Sequence, residues 1–379
     1  MEINELRTKI NKMDKELLEL FKERMKISEE IGLYKKENNL PILDKARERE
    51  ILSRLTENAD TEMSGYIKVL FASIFEMSKT HQKRNVLGDS AVKKIIEEAV
   101  KNTAEIFPSK AVVACQGVEG AYSQVACDKL FSLPNIMYCD SFEGVFKSVD
   151  SGICQYGVLP LENSTAGSVN EVYDLMNKYN FYISKSVRLR ISHTLLSQHG
   201  VKLSDIKEIF SHEQAITQCS DFLKTLKNVK ITVCENTASA AKMAAKSERI
   251  DVAVISSEDC AEIYGLSVIS YNIQNSDNNY TRFILISKKP EIYPGSHKTS
   301  IMLTLSHKPG ALYNVLAKFN AAGINLNKLE SRPISGRDFE FKFYFDIDAS
   351  VYSDELKQVL SELEVESSMF NYLGSYQEI

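Results

Sequence analysis

No stretch of this sequence approaches the ~18 consecutive apolar residues of a membrane-spanning helix. The N-terminus, MEINELRTKI, is a charged amphipathic helix and not a basic segment followed by an apolar one. Both absences lead us to expect a cytoplasmic protein. Positive charge is not in surplus either: 46 Lys and Arg face 51 Asp and Glu, for a net charge of -5. That balance argues against nucleic acid or an anionic membrane as the main partner and points to small molecules. The seven cysteines (115, 127, 139, 154, 219, 234 and 260) are odd in number and lack C-x-x-C spacing, as expected of reduced core residues. The six histidines form no H-E-x-x-H or Cys/His array, there is no G-x-x-x-x-G-K-[ST], and GVEGAYS lacks the G-x-G-x-x-G spacing. The expectation is therefore no metal and no cofactor. Low-complexity segments and internal repeats are also missing.

What is present divides into regions. A chain of 379 residues is too long for one ordinary core, and its 44% hydrophobic and 26% charged content suits a multidomain globular protein. Residues 1–90 read as helix, broken at Asn38, Asn39 and Pro41 and again between Asn58 and Gly65, which predicts a three-helix unit. Residues 91–109 read as a helical linker ending near Pro108. Over 110–290, short apolar runs (AVVAC, YGVLPL, KITVC, DVAVI, FILIS) alternate with helical segments, which predicts a two-lobed α/β domain with a mostly parallel sheet. KKPEIYPGSHK is a boundary, and 298–379 follow the order βαββαβ of the ferredoxin-like plan.

In the first helix, Ile3, Leu6, Ile10, Met13, Leu17, Leu20, Ile27, Ile31 and Tyr34 form a seam at spacings of three and four, and Arg24 stands in it. A guanidinium on such a face needs a counter-charge, either a carboxylate such as Glu48 or an anionic ligand. Lys35 lies eleven residues on, within roughly 20° of the same face. In the third helix the stripe Ile67, Phe71, Ile74 gives way to Ser78 and Gln82, while Arg47 and Glu48 open the second helix. Together these describe a pocket for a small dianion. LRTKI, KERMKISEEIGLYK, PILDKARERE and IFEMSKTHQ resemble the all-helical chorismate mutases over about 85 residues. That resemblance implies Arg7, Arg24, Lys35, Asp44, Arg47, Glu48, Ser78 and Gln82 as ligands of the substrate, with Lys35 and Gln82 at the ether oxygen. The rearrangement it implies is unimolecular and requires only a compact conformer and charge stabilisation.

Residues 278–283, NNYTRF, set polar groups at the mouth of the apolar run ILIS. PLENSTAGSVNEVYDLM and SHEQAITQC place Asn163, Ser164, Ser211 and Gln218 at helix starts, where ordinary capping and anion binding are both open readings. Taken with GVEGAYSQ, these strings resemble prephenate dehydratase over roughly residues 110 to 289. The resemblance implies two α/β lobes around a cleft, with prephenate losing water and carbon dioxide there. It implies Thr281 as a positioned proton donor and Arg282 as either orienting a substrate carboxylate or bracing the loop. Phe283 is expected beneath the ring, and Glu162, Asn163, Ser164, Ser211 and Gln218 beside the substrate.

SHKPGALYNVL and KLESRPISG resemble the phenylalanine-binding ACT domain attached to prephenate dehydratases. Gly310, Ala311, Leu312, Glu330 and Ser331 are the effector contacts it implies, and Tyr313 departs from the smaller aliphatic residue often found at its position. The whole reading is a bifunctional enzyme acting on chorismate and prephenate, restrained by phenylalanine, and at least a homodimer. Its rivals are a two-lobed sensor without catalysis and a chain in which only the mutase is active.

Overall fold

The computed structural model describes residues 3–87, 90–334 and 341–379, so Ser335 and Gly336 of the KLESRPISG motif lie outside the described residues. Two compact units emerge, one of Met1–Glu97, Met302–Phe345 and Tyr352–Phe370, the other of Glu98–Ile301, Asp346–Val351 and Asn371–Ile379.

The first unit opens with three helices, α1 (Ile3–Glu37), α2 (Lys45–Thr56) and α3 (Thr61–Leu87). The first break is as expected: Asn39 takes a left-handed φ of 53°, a conformation asparagine tolerates. The expected seam of α1, in contrast, is open. Ile3, Leu6, Ile10, Met13, Leu17 and Leu20 are all exposed, and α1 packs on α3 through a different face, around Ser28 and Gly32. A Cβ at Gly32 would lie 3.0 Å from Gln82 Cγ, so glycine there allows the two helices to close.

The linker helix α4 (Ala91–Asn102) ends earlier than its charge pattern suggests and buries Val92, Ile96 and Ala99. From there the chain builds the first lobe of the second unit. Its elements are β1 (Lys110–Gln116), α5 (Tyr122–Leu130), β2 (Leu133–Cys139), α6 (Phe142–Asp150), β3 (Tyr156–Asn163), β4 (Gly167–Ser168), α7 (Asn170–Tyr179) and β5 (Tyr182–Arg190). The second lobe runs β6 (Thr194–Ser197), β7 (Glu208–His212), α8 (Glu213–Gln218), α9 (Ser220–Thr225), β8 (Lys230–Cys234), α10 (Thr237–Ala245), β9 (Val252–Ser256), α11 (Asp259–Tyr264) and β10 (Ser267–Ser270). The chain then returns to the first lobe as β11 (Tyr280–Ser287).

Strand orders are β5-β11-β3-β1-β2 in the first lobe and β10-β6-β9-β7-β8 in the second. The expected mostly parallel sheet is mixed instead. β1 pairs parallel with β2 and β3, and β7 with β8 and β9, but β11 runs antiparallel to both β3 and β5. The reason is topological: β11 re-enters its lobe after an excursion, without the βαβ crossover that enforces parallel pairing. Val113, Cys115, Val158, Val187, Phe283 and Leu285 fill the core of the first lobe, and Leu195, Ile209, Ala253 and Ile255 that of the second. All seven cysteines are free thiols, as expected.

The C-terminal elements are β12 (Lys298–Thr304), α12 (Ala311–Ala321), β13 (Asn325–Pro333), β14 (Phe341–Asp348), α13 (Asp354–Glu366) and β15 (Met369–Glu378), with strands in the order β13-β14-β12-β15. The helix expected from Pro309 starts at Ala311, after Gly310 caps it with φ 84°. Among the described residues no helix is long and apolar enough to cross a membrane.

Candidate active site

Two groups of polar side chains have converging geometry. In the helical group, Arg24, Ser28, Gly32 and Lys35 form one stripe of α1, and it faces Ser78 and Gln82, one turn apart on α3. Arg24 Nη1 donates to Ser78 Oγ at 2.5 Å, and its guanidinium carbon lies 5.8 Å from the centre of the Phe75 ring. The expected counter-charge Glu48 is engaged elsewhere, 3.0 Å from Lys79 Nζ. Arg24 therefore meets a hydroxyl and an aromatic face in this chain and no carboxylate partner is formed by Glu48. Burial lowers its pKa, but a guanidinium remains a cation.

Gln82 is buried and donates through Nε2 to Ser28 Oγ at 2.9 Å, while its Oε1 has no hydrogen-bond partner among the described residues. Lys35 Nζ donates to the Ile42 carbonyl at 2.7 Å, which folds the α1–α2 loop back over the stripe. Asp44 caps α2 by accepting from Arg47 N at 3.0 Å, and the exposed Arg47 side chain pairs with Glu50 at 2.8 Å. Of the eight expected ligands, Arg24, Lys35, Ser78 and Gln82 share the stripe. Asp44, Arg47 and Glu48 are occupied by a cap and ion pairs, and Arg7 is remote and exposed because α1 continues unbroken between residues 7 and 24.

The second group sits where β3, α8 and the approach to β11 meet. Asn163 ends β3, and its Oδ1 accepts from the backbone amides of Thr165 (3.0 Å) and Ala166 (2.9 Å). Two amide donors fix which end of the side chain is oxygen, so Nδ2 must point the other way, donating to Thr281 Oγ1 at 2.9 Å and Asn279 Oδ1 at 2.8 Å. Thr281 Oγ1 thus accepts from Asn163 and keeps its own hydroxyl proton to give. Asn279 Nδ2 in turn donates to Gln218 Oε1 at 3.0 Å, the oxygen that also meets His193 Nε2 at 2.8 Å. An amide oxygen only accepts, so His193 carries its proton on Nε2. Gln218 Nε2 is then directed to Thr165 Oγ1, 3.4 Å away. An open cleft of about 320 Å³ borders this net, lined by Thr165, Gln214, Thr217, Gln218, Asn275 and Asn279 among others.

His193 was not singled out in the sequence, and neither was the role of Asn279. His193 is buried, burial lowers its pKa, and the hydrogen bond to Gln218 only partly offsets that, so the ring is neutral at pH 7. It can orient Gln218 but is poorly suited to protonate a leaving group. The only local signal was a lone histidine between two short apolar runs, RISHTLL.

Of the expected residues Gln218 lines this cleft, Asn163 and Thr281 join it through the net without lining it, and several others are engaged elsewhere. Arg282 is buried on the opposite side of β11 from Thr281, because neighbours in a strand point to opposite faces. Its Nε lies 2.7 Å from Glu162 and it pairs with Asp346, so in this chain both Arg282 and Glu162 are engaged in a brace of β11. Phe283 is packed in the first-lobe core. Ser211 is fully buried and its hydroxyl donates to the Ile255 carbonyl at 2.8 Å. Ser164 Oγ donates to the Asn278 carbonyl and accepts from Tyr280 N, both at 2.9 Å, which pins the loop carrying Asn279 and Thr281.

The family model for chorismate mutase type II matches residues 6–83, and that for prephenate dehydratase matches 113–291. A bifunctional chorismate mutase/prephenate dehydratase from Enterobacter agglomerans is 32% identical over 384 residues, covering 98% of this chain and 95% of that protein. Arogenate dehydratase/prephenate dehydratase 2 of Arabidopsis thaliana is 35% identical, covering 86% of each. Among solved structures, the prephenate dehydratase of Arthrobacter aurescens in complex with L-Phe superposes with a TM-score of 0.65 at 27% identity, covering 70% of this chain and 89% of that one.

Proposed function

This chain belongs to the bifunctional chorismate mutase/prephenate dehydratase family, and we propose that its two reactions run at two separate sites, one on the Arg24 stripe and one at Thr281. It is an enzyme that rearranges chorismate to prephenate and dehydrates prephenate with loss of carbon dioxide. The domain limits that go with this reading are 1–90, 110–290 and 298–379.

At the first site, Arg24 holds a substrate carboxylate while Lys35 and Gln82 stabilise charge on the ether oxygen as its bond breaks. Arg7 completes this site from a second chain. Residues 7 and 24 of one continuous helix are separated by about 25 Å, beyond the reach of a small diacid. The open seam of α1 supports the same reading, since covering a Leu or Ile side chain is worth about 1.5–3 kcal/mol. Arg7→Ala and Arg24→Ala chains, each inactive as a mutase, should regain activity when co-expressed, through the one intact site of each heterodimer. Isolated heterodimers without mutase activity would remove the shared site.

At the second site the observation that carries the proposal is the hydrogen-bond net that ends on Thr281 Oγ1 with its proton unspent. Decarboxylation sends the carbon–carbon bonding pair into the ring, and the ring hydroxyl leaves on the far side. Thr281 donates to that oxygen as part of a relay, since a lone threonine hydroxyl is too weak an acid. Asn163 and Gln218, oriented by backbone amides and by His193, hold the donor and the substrate in register. The direct test is phenylpyruvate formation from prephenate by the purified protein and by the Thr281 variants discussed below.

The C-terminal elements form an ACT domain that binds phenylalanine between paired copies and so restrains dehydration. The strand order β13-β14-β12-β15 is that of the ferredoxin-like plan, and Gly310 with φ 84° presents a helix start to a ligand. Ala311, Leu312, Glu330 and Ser331 supply the rest of the effector site. Leu312→Ala or Ser331→Ala should shift half-inhibition by phenylalanine about tenfold upward with catalysis intact, within the range of about 5–150-fold typical of allosteric coupling. Tyr313→Val should tighten phenylalanine binding. Calorimetry without heat of phenylalanine binding, together with unchanged rates at millimolar effector, would leave these elements as a dimerisation module.

A further inference from the structure

Arg282, one residue from Thr281, is bound by three carboxylates that come from widely separated parts of the sequence. Its guanidinium meets Glu162 of β3 (2.7 Å), Asp346 of β14 and, at 4.0 Å, Glu378 of β15. Asp346 is buried and held in turn: Ser300 Oγ donates to its Oδ1 at 2.5 Å, and Ser300 and the buried Tyr376 hydroxyl are 2.7 Å apart. Glu378 is also paired with Lys298 at 2.6 Å.

The backbone explains why the anchor matters. The ladder between β11 and β3 changes register between Arg282 and Phe283: Arg282 stands opposite Glu162, but Phe283 stands opposite Pro160. The extra residue, Leu161, belongs to β3, and such a bulge re-aims the residues beyond it on that strand. Those residues are Glu162 and Asn163, which hold Arg282 and the Thr281 hydroxyl. On the other side, Arg282 is directly across from Arg188 of β5, a like charge that disfavours the pairing unless carboxylates neutralise it. The last strand is built into this arrangement. Gln377 and Glu378 pair with Lys185 and Ser186 of β5, and a Cβ at Gly374 (φ 133°) would come within 2.3 Å of the Ile183 carbonyl oxygen.

We infer that Asp346 is a positioning residue for dehydration: acting through Arg282, this carboxylate of the C-terminal strands sets the aim of Thr281. The inference rests on the reading of Thr281 as proton donor. It also means that the catalytic strand is completed by residues far outside 113–291, so β14 and β15 take part in the reaction geometry and do more than carry an effector.

The test is a double-mutant cycle in the full chain. Asp346→Asn keeps the shape and removes the charge. It should lower kcat for prephenate about tenfold or more with KM changed less than about threefold, the pattern of a lost transition-state alignment. Mutase activity should be unchanged, and circular dichroism should show folded protein. Ser300→Ala, which loosens the carboxylate without removing it, should lower kcat by a smaller factor with the same KM pattern. In an Arg282→Gln chain, Asp346→Asn should add less than about twofold, because the residue through which it acts is already gone. Wild-type kcat in Asp346→Asn, or losses that simply multiply in the double variant, would overturn the inference. Should Asp346→Asn fail to fold, wild-type kcat in Ser300→Ala overturns it in the same way. Failure of the underlying reading has a different signature: Thr281→Ala would then dehydrate prephenate normally, while the Arg282–Asp346 coupling is still read from the cycle.

Discussion

Thr281→Ala lowers dehydratase turnover by about 10²-fold or more, whereas Thr281→Ser retains a substantial part of it, and chorismate consumption is the same in both. The size follows from what a positioned proton donor contributes, typically 10²–10⁴-fold. Serine keeps the hydroxyl and the bond from Asn163 Nδ2, losing only the methyl group that restricts its rotamer. Alanine removes both the proton and the acceptor of that bond, leaving Asn163 Nδ2 with Asn279 alone. The readout is steady-state phenylpyruvate formation from prephenate. Equal, mild effects from the two substitutions would reduce Thr281 to a turn residue and the net around it to loop architecture.

Arg24→Ala abolishes the mutase reaction, a loss of at least about 10²-fold, and leaves dehydration of added prephenate at its normal rate. Removing one preorganised charge from a site that works by electrostatics and orientation costs on this scale. The fold should tolerate the change. Arg24 donates one charged hydrogen bond to Ser78, worth about 1.5–3 kcal/mol, while the α1–α3 contact at Ser28, Gly32 and Gln82 does not depend on it. Chorismate depletion and phenylpyruvate formation are measured on the same preparation. Mutase activity surviving within a few-fold would make Arg24 a structural partner of Ser78.

The sequence revealed the order of elements in each region more readily than the direction of individual side chains. Thr281 and Asn163 were legible because polar residues at the mouth of an apolar strand are conspicuous. The opposite orientation of Arg282 was also implicit in strand alternation. Its partners were not, since Asp346 and Glu378 lie 64 and 96 positions away in the numbering and reach it only through tertiary pairing. Ser211 and Ser164 had the right chemistry at the right helix starts, yet backbone groups of β9 and of the 278–280 loop use their hydroxyls. His193 was missed because a single histidine between apolar runs has no periodic or spacing signal. In α1 the apolar seam was legible, but period alone does not say which face the chain's own helices cover, and among the described residues this seam stays exposed. The mixed sheet was missed for a similar reason: strand direction depends on where the chain returns, which local propensity does not encode.

On the proposed function, one chain carries two catalytic sites that can be silenced separately. The most direct measurement follows chorismate, prephenate and phenylpyruvate together in one reaction of the Thr281→Ala protein supplied with chorismate. The expected result is chorismate loss at the wild-type rate, prephenate accumulating in matching amount, and phenylpyruvate formation reduced by about 10²-fold or more. Phenylpyruvate appearing at the wild-type rate, or loss of both reactions in a folded protein, would contradict it.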